Sequence, residues 1–171
     1  GERQMDPHTD GGDTKPVGYM ERTRLYYRAL GYSNDYIWSH HNDAPFATLK
    51  RPLAESKLTV ITTASPPGGP RNGNQRLKEV WSEHFEQAPA DLNTEFSAWD
   101  KEATHTRDRE SYLPVLALQE LVAAGRIGSL TTQFHGVPTT YSQRQTIEQD
   151  APEIARRCRS DGSDAALLVP L

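Results

Sequence analysis

Six side chains have the types and settings that chemistry requires: His135, His105, Ser65, Arg107, Thr139 and Thr140. His135 follows the apolar run that ends at Phe134 and opens the stretch His135-Gly136-Val137-Pro138-Thr139-Thr140. An imidazole placed there could act as a general acid or base, or hydrogen-bond a substrate. The plainer alternative is a ring whose nitrogens are bonded by nearby backbone. His105 has a similar setting behind a weaker strand signal. Arg107 and Arg109 could hold a substrate carboxylate, because a guanidinium matches that group bidentately. With Asp108 and Glu110 they could equally form a solvated loop of local ion pairs. Ser65 and the pair Thr139-Thr140 offer hydroxyls to a ligand.

Other combinations carry less. A metal site built from His40, His105 and His135 would need three distant segments to meet. His40 and His41 are neighbours, and in an extended segment they point to opposite sides. Cys158 lies on the apolar face of a helical stretch and reads as a small buried hydrophobe rather than a nucleophile. No Ser-His-Asp triad is legible.

These residues must be positioned by elements that the hydrophobic pattern outlines. Lys57 to Ala64 is β-branched and mostly apolar, as a central strand should be. It runs into Ser65-Pro66-Pro67-Gly68-Gly69-Pro70, where Pro and Gly exclude regular structure. Ser129 to Phe134 predicts a strand, Gln143 to Asp161 an amphipathic helix, and Ala165 to Val169 a strand covered on both faces. Strand, crossover helix and strand make a βαβ unit. The fold class expected is therefore α/β, three-layered, with a mostly parallel sheet. Ligands of such sheets gather at the carboxyl ends of the strands. Phe96 to Trp99 is a further strand candidate.

Helices are expected at Tyr19 to Leu30, closed by Gly31, and at Leu113 to Ala124, capped by Ser111 and closed by Gly125. Val80, Trp81 and Phe85 suggest a short helical face. Two capping boxes, Ser142-x-x-Gln145 and Asp150-x-x-Glu153, predict a helix that breaks near Asp150 and restarts around Pro152. Residues 1–18 read as a flexible tail, and residues 19–171 as one domain or the amino-terminal part of a larger or split one.

Composition narrows the function classes. The net charge of −4 and pI of about 5.9 come with no basic cluster, so nucleic acid is not an expected partner. Mean hydropathy is −0.75, and no apolar run approaches the ~20 residues a spanning helix needs, so no membrane partner is expected either. The first thirty residues lack the apolar core of a secretory signal, which predicts a cytoplasmic location. One cysteine in 171 residues excludes an internal disulfide.

Several segments resemble the glycine/sarcosine/betaine/D-proline reductase family, the selenoprotein B type and its cysteine-containing relatives. They are Glu21 to Tyr32, Trp38-Ser39-His40 with Asp43 to Phe46, and Pro52 to Ser56 leading to Val60 to Ala64. The most specific follow: Gly125 to Leu130, Phe134-His135-Gly136, Glu148 to Ile154, and Asp161 to Pro170. In that family the strand matching Ala165 to Pro170 runs into a motif of Cys or selenocysteine, two residues, then Cys. Its selenolate or thiolate attacks the substrate carbon and releases an amine.

Leu171 precedes the position of that motif. The resemblance thus implies the amino-terminal part or a subunit of a reductase that cleaves a small amine or amino-acid-like substrate. The redox motif would be supplied beyond Leu171 or by a second polypeptide, in a hetero- or homo-oligomer. His135 and His105 would be its catalytic residues, and Ser65, Arg107, Thr139 and Thr140 its substrate contacts. The alternative is a non-catalytic small-molecule-binding or scaffold subunit that steadies a catalytic partner. The sequence identifies no cofactor. Leu171 is expected at the rim of a pocket within reach of His135, with Leu167 and Val169 buried.

Overall fold

A computed structural model describes residues 18–35, 37, 39–69, 77–95, 102 and 105–171. Phe96 to Trp99 and the tail to position 17 lie outside the described residues. The chain divides into two compact units, Gly1–Ala44 and Pro45–Leu171. In the first, α1 spans Tyr19–Ala29. Gly31 follows it with φ of +90°, the left-handed conformation that glycine adopts without steric cost. Tyr27 meets Tyr26 and Tyr32 edge to face, and Arg28 donates to Asp35.

The second unit is α/β. Its elements are β1 (Lys57–Thr62), β2 (Trp81–His84), α2 (Val115–Ala123), β3 (Ser129–Leu130), β4 (Gln133–Gly136), α3 (Gln143–Gln145), α4 (Ala151–Ser160) and β5 (Ala165–Val169). Among the described residues, five strands form one sheet, mostly parallel. β5 pairs with β1 from Leu58 to Thr62, occupying one side of it. The other side must then take both β3, opposite Lys57 and Leu58, and β4, opposite Ile61 and Thr62. β1 is the central strand, β2 pairs antiparallel with β4, and among the described strands β5 and β2 lie at the two edges.

Alternation along the strands separates two faces. Leu58, Val60 and Phe134 face a core shared with Tyr112, Leu113, Val115 and Leu118, which places α2 on that side. Ile61 and His135 face the opposite side, where α4 lies, and Ile154 is the buried residue of α4. The three layers expected from the βαβ pattern are present.

Several local expectations are corrected. Val80 to Phe85 is not helical: Trp81–His84 is an edge strand, held by the β4 ladder and by the edge contact of Trp81 on Phe134 at 5.4 Å. The strand expected from Ser129 to Phe134 is interrupted at Thr131-Thr132 and continues to Gly136, so His135 belongs to a strand and not to a loop. Ser111 does not cap α2; its hydroxyl donates to the His105 and Asp108 carbonyls. Glu110 does that work, accepting from the Leu116 and Ala117 N–H groups.

Ser142 caps as expected, but the box at Asp150 does not form. The helix instead passes through a π-turn at Thr146–Asp150 and continues into α4. Glu153 is taken by Arg156 and Arg157.

β5 is not buried on both faces. Leu168 is 67% exposed and Leu167 38%, while Val169 is half-buried. An apolar strand reads as central when its neighbours are unknown. Here no described strand pairs with its outer side.

Gly128 fixes how β3 enters the sheet. A Cβ at this position would come within 2.6 Å of the Glu55 carbonyl carbon and 2.8 Å of the Ser56 amide nitrogen. Backbone cannot yield as a flexible side chain can. Gly128→Ala should therefore lose about 3 kcal/mol of stability by overpacking. Urea unfolding measures it, and an unchanged midpoint would show that the Leu53–Ser56 turn shifts freely.

Candidate functional site

Two places concentrate polar side chains in the second unit. The first is a cleft at the carboxyl end of β1. After β1 the chain turns through Thr63 and Ala64 to Ser65, which exchanges two backbone hydrogen bonds with Asn93. That bridge fixes Pro67-Gly68-Gly69 as one wall. Asp91, Asn93, Thr94 and Glu95 form another, and Thr106 and Arg107 a third, around about 880 Å³. Arg107 is exposed and lines this cleft. Its guanidinium can reach a ligand carboxylate bidentately, against acidic neighbours that would attract an amine. Ser65 itself is 1% exposed and supports the wall rather than facing the space.

The chain reaches the same place from β5. Leu171 N–H donates to Thr63 Oγ1 at 2.8 Å, two residues before Ser65, and Leu171 packs against the core. The carboxyl ends of β1 and β5 thus lie side by side next to the Pro67–Gly69 wall. Neither Leu171 nor His135, expected together at the rim of a pocket, is among the residues lining that cleft.

His135 is the centre of the second place. It is 0% exposed, on the face of the sheet that carries α4. β2 and β4 pair Ser82 opposite His135, which brings Ser82 Oγ to 2.7 Å from Nδ1. Arg157 of α4 donates to the same Oγ at 2.7 Å. Glu153, one helical turn earlier, accepts from Arg157 Nε at 2.6 Å. On the other side of the ring, Nε2 is 3.1 Å from Asp161 Oδ2. That contact is electrostatic, because the two atoms lack the alignment of a hydrogen bond.

A guanidinium can only donate. Ser82 Oγ therefore accepts from Arg157 and can give its own proton to Nδ1. The neutral ring that fits carries its proton on Nε2, toward Asp161. Burial is the main cause that holds the His135 pKa below its ordinary value; Asp161 opposes it and Arg157 adds to it.

Ser82, His135 and Asp161 are the residue types of a hydrolytic triad, which the sequence did not reveal. Their setting differs in function, since a nucleophile must meet substrate. Ser82 is held from behind by Arg157, and the imidazole is wholly enclosed. The set joins the sheet to α4. Ser82, Arg157 and Asp161 were missed from sequence. The available signal was Glu153, Arg157 and Asp161 at i, i+4, i+8, one face of a helix.

The remaining residues separate. His105 is exposed and one residue from Thr106 in the cleft wall; its carbonyl accepts from Asp108 and Ser111. Thr139 and Thr140 follow β4 and are half-buried, and neither lines the Arg107 cleft. His40 belongs to the first unit and is exposed. Among the described residues no group of three His, Cys, Asp or Glu side chains could hold a metal ion. Cys158 is half-buried, and burial raises its pKa, which disfavours the nucleophilic thiolate. Among the described residues no helix is long and apolar enough to cross a membrane.

Compared with known protein families, characterised proteins and solved structures, the chain shows no significant match.

Proposed function

We propose that this chain is the amino-terminal part, or a subunit, of a reductase resembling the selenoprotein B type, acting on a small amine or amino-acid-like substrate. The Cys or selenocysteine redox motif would come from residues beyond Leu171 or from a second polypeptide. The observation that carries this reading is the hydrogen bond from Leu171 N–H to Thr63 Oγ1. It ties the end of β5 to Thr63, two residues before Ser65, whose bridge to Asn93 holds the Pro67–Gly69 wall, and so supports a reading in which a nucleophile entering after Leu171 would approach a ligand held in the Arg107 cleft.

Arg107 would take the substrate carboxylate, and His105, exposed on the same loop, would exchange protons with solvent and substrate. His135 would act as a positioning residue that keeps β2, β4 and α4 in place. The exposed outer side of β5, with Leu167 and Leu168, gives a partner strand a ladder to extend.

In the reconstituted assembly, Arg107→Ala should lower kcat/KM for a carboxylate-bearing amine by about 100-fold, the scale of one lost charge-assisted pair. Arg107→Lys should recover only part of it. A native assembly with no second polypeptide, read from a gene whose frame stops at Leu171, would sink the proposal.

A non-catalytic binding or scaffold subunit is the second reading, favoured by the enclosure of His135 and by the half-buried thiol of Cys158. It expects Arg107→Ala to leave the partner's turnover unchanged.

A further inference from the structure

A third place, independent of the reading above, holds a buried carboxylate with one oxygen unpartnered among the described residues. Asp150 is 5% exposed, and its Oδ2 has no hydrogen-bond partner among the described residues. It lines a cleft of about 240 Å³ between residues 78–80, which lead into β2, and the helix that becomes α4. The cleft is braced at both ends. Gln145 Nε2 donates to the Lys78 carbonyl, and Arg157 donates to Ser82.

The ordinary employments of such an aspartate are closed. Asp150 stands at the N-cap position of α4 but its side chain makes no capping hydrogen bond, because the π-turn carries the helix straight through. Arg157, which shares the cleft, donates through Nε to Glu153 and through Nη1 to Ser82, and makes no hydrogen bond to Asp150 Oδ2. Glu153 in turn is occupied by two arginines. A buried carboxylate oxygen without a donor is costly, and the cost is reduced by a cation that brings N–H groups to the carboxylate. π-turns within helices also recur at functional sites.

We propose that this cleft binds a small organic cation, a protonated amine or a guanidinium, with Asp150 as its anionic partner. The volume admits a group of side-chain size. A metal ion fits poorly, because it needs several oxygen ligands and among the described residues no group of three His, Cys, Asp or Glu side chains could hold one. Glu79 at the rim adds negative charge, and Lys78 beside it disfavours a polycation.

The test is titration of the full chain with n-butylammonium and with N-methylguanidinium at constant ionic strength, followed by amide and side-chain NMR shifts. Saturating shifts confined to Lys78, Glu79, Val80, Gln149, Asp150 and Arg157 are expected, with affinity at least tenfold weaker in Asp150→Asn. In the absence of ligand that variant should also melt at a higher temperature than the native chain. Should Asp150→Asn fail to fold, Val80→Trp narrows the cleft from its other wall and should abolish the shifts. Equal shifts with KCl or MgCl₂, shifts spread elsewhere, or unweakened binding by the folded Asp150→Asn would overturn the proposal.

Discussion

Replacing His135 by alanine is expected to remove about 3 kcal/mol of folding stability, the scale of breaking a buried, charge-linked network by deleting one partner. The loss has two sources. A cavity opens between the sheet and α4, and Ser82 Oγ and Asp161 Oδ2 lose the ring that sits between them. Because Arg157 and Glu153 remain, α4 stays helical, and the expected readout is a lower urea midpoint with little change in far-ultraviolet dichroism. His135→Gln, which keeps a polar side chain, should cost less.

The same residue gives the fold a pH dependence of definite sign. Burial is the leading cause that depresses the His135 pKa in the folded chain, whereas the unfolded chain titrates near the ordinary value of about 6.5. Between the two values the unfolded state binds the proton and the folded state does not. Stability is therefore complete above about pH 6.5 and falls as the pH drops through that value toward the lower folded-state one. The slope from this one group is at most about 1.4 kcal/mol per pH unit. Urea midpoints measured from about pH 7.5 down to about pH 5 should show this decline in the native chain and a shallower one in His135→Gln. Identical slopes would assign the proton uptake to other groups.

Gly136→Ala should be about as damaging, near 3 kcal/mol, for a steric reason. Gly136 pairs directly with Trp81 across the β2–β4 ladder, and the indole lies over the glycine. A methyl group at 136 would overlap the indole nitrogen and its neighbouring ring carbons. Trp81 would have to swing out, losing its edge contact on Phe134 and uncovering the core beneath. The Trp81→Leu background separates this cause from any backbone effect. There Gly136→Ala should cost much less, and a double-mutant cycle should give a coupling above about 1 kcal/mol. Full additivity would mean that the glycine is needed for its backbone freedom instead.

Much of the fold was legible in the sequence, because the signals are local. The run Leu58 to Thr62, β-branched from Thr59 on, favours a strand locally, and the Ser142 cap follows from one hydroxyl three residues before an N–H. The glycines at 31 and 125 stop their helices because only glycine takes positive φ cheaply. The parallel sheet and its three layers follow from the order of such elements.

The Pro67–Gly69 loop was likewise reachable as a site wall, since it follows the carboxyl end of β1, whereas the approach of Arg107 to it was not. What tertiary structure alone decided is which residues meet. Trp81–His84 became a strand because β4 offered it a ladder, against a pattern that suggested a helix. Apolarity cannot distinguish a central strand from an edge, so the exposure of Leu168 depended on which strands pair with β5. The burial of His135 came from the register that sets Ser82 opposite it and from the docking of α4 over both. Those are contacts between residues 53 and 26 positions apart, which no local periodicity records.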